Sequence, residues 1–118
     1  MGKKYNFGEI WLADLNPRIG TESGKVRPVL IFQNQILLDE SHPSTIVLPL
    51  TTKLIDNAEP LRIRVRARES LQKDSDIMID QIRAIDNKRL VQFLLMCDDD
   101  VLRKVQSSLV DLLWLSRD

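Results

Sequence analysis

A chain of 118 residues, 43% hydrophobic and 29% charged, has the length of one domain, 1–118, and buries roughly two-thirds of the surface its unfolded form exposes. Its 17 Lys and Arg balance 17 Asp and Glu, which excludes a whole-molecule attraction to polyanions and leaves any nucleic-acid binding to local patches. One cysteine, Cys97, and one histidine, His42, exclude an internal disulfide and argue against a zinc site or a Cys-His nucleophilic pair. The start, Met-Gly-Lys-Lys-Tyr-Asn, has no apolar signal core, and no apolar run approaches the ~18 residues of a membrane span. The expected location is the cytoplasm, with no membrane partner.

In chain order, Ile10, Leu12 and Asp14 alternate with Trp11, Ala13 and Leu15, a strand with apolar groups on both faces that ends near Leu15. Asn16-Pro17 and the glycines Gly20 and Gly24 bracket a polar excursion. Arg27 then opens a buried second strand, Val29 to Phe32, with Pro28 placed at its first residue because proline lacks a donor. An arginine at such a rim sits where an anionic group can be held. Further strands are predicted at Thr45 to Leu50, Leu61 to Arg66, Asp76 to Ile82 and around Leu90 to Met96, giving five to seven short strands. That pattern favours a small closed barrel or a sandwich. Val101, Val105, Leu109 and Leu112 recur at helical spacing, with Leu102 and Leu113 widening the stripe, so the chain ends in a helix of about four turns. Asp98 stands where an N-cap belongs, and acids there complement the helix dipole.

Arg62, Arg64, Arg66 and Arg68 occur at period two, which on one strand places four guanidinium groups on one face. A solvated outer face, an RNA contact and a seat for an acidic protein segment all remain open for them. No phosphate-cradling glycine motif occurs, so nucleotide-driven chemistry is disfavoured. RNA cleavage fits this sparse inventory, because the ribose 2'-OH can attack the adjacent phosphate without metal or cofactor. The protein then supplies charge stabilisation and proton transfer. An arginine suits the first task through its forked, permanently charged donors.

GEIWLADLNP near the start, Gly20-Thr21-Glu22, Arg27-Pro28-Val29-Leu30, Pro49-Leu50-Thr51-Thr52 and Asp80-Gln81-Ile82-Arg83-Ala84-Ile85-Asp86 together resemble the MazF/PemK family of toxin endoribonucleases, also called the Kid family. The resemblance implies a mainly β (α+β) fold, a small SH3-like β-barrel with a C-terminal helix. It implies a homodimer that cuts single-stranded RNA sequence-specifically without a cofactor or metal, leaving a 2',3'-cyclic phosphate and a 5'-OH. It also implies a MazE-like antitoxin whose acidic C-terminal segment covers the RNA groove.

By the same resemblance Arg27 is the catalytic arginine and Thr51 the hydroxyl that works with it, as an orienting donor or relay rather than an unaided base. Thr52 is the neighbour that a one-residue register error would select. Some family members carry His where Thr21 stands and Arg where Met78 stands. Glu22 and Asp80 are the remaining carboxylates, open to acid-base work, to a salt bridge or to a base contact. Thr21, Ser23, Asn34, Thr52 and Gln81 are the expected RNA-binding residues. Trp114, Leu115 and the segment Asp80 to Ile85 are candidate dimer contacts. The rival reading is a non-enzymatic toxin of the same barrel that binds a protein such as DNA gyrase.

Overall fold

The computed structural model describes residues 3–17, 19–22 and 24–115. Seven strands, β1 (Glu9–Asp14), β2 (Val26–Ile31), β3 (Ser44–Thr51), β4 (Arg62–Val65), β5 (Ser75–Met78), β6 (Arg83–Asp86) and β7 (Leu90–Met96), are joined by α1 (Gln35–Asp39) and followed by α2 (Asp99–Leu113). They form one antiparallel sheet of order β4-β5-β3-β2-β1-β7, with β6 also paired to β3. The predicted mainly β fold with a C-terminal helix is present, in a barrel-like but open form. β4, β6 and β7 each pair with one neighbour. Helix α2 packs on β4 and sinks Val105 and Leu109 among Ile63, Val65 and Leu95.

The central strands are apolar on both faces, as the sequence of β1 requires. Ile10, Leu30, Leu48 and Leu50 enter one core with α2, while Trp11, Ala13, Val29, Ile31 and Val47 enter a second with Leu38 of α1. The five residues of α1 are absent from the sequence-based reading, because a single turn and a half shows no periodicity. Asn34 caps it, accepting from the Ile36 N–H at 2.8 Å.

Two expectations are corrected. The strand expected over Asp76 to Ile82 breaks at Met78, and a 3₁₀ turn, Ile79–Gln81, carries the chain to β6. The cause is a change of partner: β5 pairs with Leu50 and Thr51, whereas β6 pairs with Ser44 to Val47. The chain must step along one edge of β3 between them, and it does so by burying Ile79. The four-arginine face is also cut short. The strand ends at Val65, so only Arg62 and Arg64 share its face. Arg68 lies beyond, donating to Met96 O at 2.6 Å and pairing with Asp98 at 3.1 Å. That pairing takes the Asp98 carboxylate away from its capping role: Asp98 occupies the N-cap position of α2 without a side-chain cap bond.

Candidate active site

A cleft of about 480 Å³ opens where β2 and β3 part. Their register runs Ile31 to Val47, Leu30 to Leu48 and Val29 to Pro49, and the Phe32 N–H donates to Ile46 O at 3.0 Å. Hydrogen-bonded pairs alternate in an antiparallel ladder, so the next such pair would be Pro28 with Leu50. Pro28 has no N–H to give. Arg27 fills the gap: its Nη1 donates to Leu50 O at 3.1 Å and its Nε to Gly24 O at 2.9 Å. The proline that interrupts the ladder thus creates a carbonyl that anchors the arginine. Pro28 is therefore the third residue of β2 rather than the first of its strand.

The opposite wall is organised by Asp76. This carboxylate is 1% exposed, and its residue pairs with Thr51 on one side and Arg64 on the other. Arg64 Nε and the Ile55 N–H, the latter at 2.9 Å, donate to it, and Arg62 lies 3.7 Å away. Burial pushes the Asp76 carboxyl up, but the Arg64 and Ile55 hydrogen bonds and the charges of Arg64 and Arg62 outweigh it and hold the group below its ordinary 3.8. Arg62 Nη1 donates to Lys53 O at 3.2 Å, so Asp76 and its arginines fasten the segment after β3 to the β4–β5 pair. A depressed carboxylate stabilises the fold above its unfolded pKa, and that contribution is lost as pH falls through the folded value. Asp76→Asn is therefore expected to lower stability by about 2–4 kcal/mol near neutrality. Its loss of stability on acidification below about pH 4 should be shallower than the parent's. Urea melts from neutrality to acid check both expectations, and parallel pH profiles for the two proteins would remove Asp76 from this role.

Thr21, Glu22, Arg27, Thr51, Thr52 and Gln81, all singled out from the sequence, line the cleft. Asp80 does not: it is exposed on the 3₁₀ turn. Asn34 caps α1 and is not among the cleft residues. Ser23 lies outside the described residues. Thr51 and Thr52 both reach the cleft rather than one alone, and the Thr51 Oγ1 accepts from the Lys53 N–H at 3.2 Å. Lys25, Lys53 and Arg62, unassigned to a site by the sequence, also line it. With Arg27 they bring four cations to the cleft beside the carboxylate of Glu22, Arg62 being shared with Asp76 3.7 Å away; a neutral chain that holds a polyanion needs such a local patch.

Fold and cleft together define a small barrel-like β protein with a cationic cleft around a positioned arginine. The chain belongs to the family described as PemK-like, MazF-like toxin of type II toxin-antitoxin system, whose profile matches residues 6–113. It is 37% identical over 103 residues to Endoribonuclease EndoA of Bacillus subtilis (strain 168), covering 86% of this chain and 88% of that one. Among solved structures, MazF from Deinococcus radiodurans has a TM-score of 0.81 at 21% identity, covering 96% of this chain and 99% of that one. An endoribonuclease in complex with its cognate antitoxin, from a mycobacterial species, has a TM-score of 0.74 at 17% identity, covering 99% and 100%. At these identities the two structures speak for the fold.

Proposed function

We propose that this MazF/PemK-family endoribonuclease is the toxin of a type II toxin-antitoxin pair and cuts single-stranded RNA, sequence-specifically and without metal, through the RNA's own 2'-OH. The observation that carries the reading is Arg27, held by two backbone carbonyls inside a cleft with three further cations. The 2'-oxygen loses its proton and bonds to phosphorus, the bond from phosphorus to the 5'-oxygen breaks, and that oxygen takes up a proton. The ends are a 2',3'-cyclic phosphate and a 5'-OH. Arg27 stabilises the charge that builds on the phosphorus oxygens. Thr51 orients the phosphate, and Glu22, the carboxylate of the cleft, accepts the 2'-proton. Thr21, Thr52 and Gln81 hydrogen-bond unstacked bases.

Two copies of the chain line one groove in this reading. At the end of α2 Leu112, Leu113, Trp114 and Leu115 are exposed, Trp114 at 73%, apolar surface of the kind that an interface between copies covers. An antitoxin with an acidic C-terminal segment competes with RNA for the four cations; an antitoxin partner is supported by the mycobacterial endoribonuclease solved in complex with its cognate antitoxin. Among the described residues no helix is long and apolar enough to cross a membrane, and the cytoplasm is the proposed site of action. The name of the Bacillus subtilis relative favours the nuclease over a toxin that only traps a protein target.

Incubation of single-stranded RNA with the protein in EDTA tests the reading. Discrete fragments should appear whose 5' ends accept phosphate from a kinase without prior phosphatase treatment. Intact RNA in EDTA, with cutting restored by a divalent ion, would overturn the metal-free mechanism.

A further inference from the structure

Beside the cationic cleft runs a second groove of about 350 Å³ with different chemistry. The two share Pro28, Thr52 and Ser75, so a strand crossing one passes into the other. Strand register builds the floor. Pro28 of β2 pairs with Leu12 of β1, which pairs with Gln92 of β7, and directly opposed residues present their side chains on the same face. Leu94, two residues after Gln92, joins them. The β4–β5 connection makes the facing wall. There the Arg68 N–H donates to Leu71 O at 3.1 Å and the Leu71 N–H to Arg68 O at 3.0 Å, closing a tight turn that buries Leu71 and leaves Gln72 exposed at the rim.

We propose that this groove is a nucleobase pocket, which seats the base of a nucleotide adjoining the phosphate at Arg27 over the half-buried Leu12, between the rims of the buried Leu71 and Leu94, with its edge toward the amides of Gln72 and Gln92. The inference rests on the reading of the cleft as an RNA-cutting site. A single strand alternates an anionic phosphate with a flat base that is apolar on its faces and hydrogen-bonding on its edge. The molecule presents the matching sequence: four cations, then three leucines framed by two amides, with Lys73 beside them for the next phosphate. A glutamine amide offers donor and acceptor together, so it can engage two adjacent groups on one base edge. The groove thereby supplies sequence preference, a task that Arg27, which meets only the invariant backbone, cannot perform.

The test uses Gln72→Ala/Gln92→Ala, changed at two exposed positions, and a pool of random-sequence RNA whose cut sites are mapped to the nucleotide. The wild-type protein should favour a particular base at a position beside the cut, and the double variant should lose about tenfold of that preference while its preferences elsewhere persist. A folded variant that keeps every preference overturns the pocket and leaves the nuclease reading standing. A wild-type protein that cuts nothing in the pool overturns both. An abasic residue at the affected position, in an uncleavable RNA, should weaken wild-type binding about tenfold and the variant's far less. Equal losses in the two proteins would also overturn the pocket.

Discussion

Arg27→Ala is expected to slow RNA cleavage by about 10²- to 10³-fold, the usual consequence of removing one donor aimed at developing charge. The same side chain also closes the gap between β2 and β3, so its loss leaves the buried Leu50 carbonyl without the Nη1 donor, at a cost of about 1–3 kcal/mol. Both effects must therefore be measured. Circular dichroism sets a temperature at which parent and variant are equally folded, and single-turnover cleavage is compared there. Arg27→Lys separates the contributions further: it keeps the charge but lacks the fork that can hold a backbone carbonyl and a phosphate oxygen together. It should fall between the parent and the alanine variant. A folded Arg27→Ala that cuts RNA at the parental rate would remove this residue from the chemistry.

The strands and α2 were legible because their patterns are local. Period-two alternation in β1 and the Val101, Val105, Leu109 spacing of α2 each report a face without reference to the rest of the chain. The break after Met78 was not legible, because it arises from a change of partner along β3 that no window of sequence contains. The arginine row shows the same limit. Period two places Arg62 and Arg64 on one face, but only the register reveals that Asp76, 12 residues beyond Arg64, stands beneath both. The face that looked solvated in part pairs with a buried carboxylate, Asp76.

Much of the candidate site was legible, since Arg27, Thr51, Glu22 and Gln81 sit in motifs whose order along the chain resembles a known family, and all four line one cleft. Lys25 and Lys53 carried no comparable signal, being single cations in turn-forming segments. Asn34 did carry one, of a different kind: an Asn two residues ahead of an apolar run, here Ile36 to Leu38, is also a helix cap, and that is where the structure places it. Asp98 inverts the case, a well-founded cap whose carboxylate is taken by Arg68 from 30 residues away.

An RNA with a single 2'-deoxyribose on the 5' side of the scissile phosphate is expected to bind and not to be cut there. The substitution removes the atom that attacks phosphorus, and among the described residues the cleft offers no strong nucleophile in its place: its lining side chains include threonines, a serine, a glutamine, a glutamate and four cations, none of which attacks a phosphodiester unaided. Binding should survive, because the phosphates that Lys25, Arg27, Lys53 and Arg62 would meet are unchanged. The salt dependence of affinity measures that directly, since the slope of log Kobs against log[salt] is about −0.7 for each phosphate neutralised on a single strand. Equal slopes for the ribose and deoxyribose substrates, with cutting of the first alone, fit attack by the 2'-OH. Cutting of the deoxy substrate at the same bond would mean that water is the nucleophile, and the roles given to Glu22 and Thr51 would then have to be assigned to positioning that water instead.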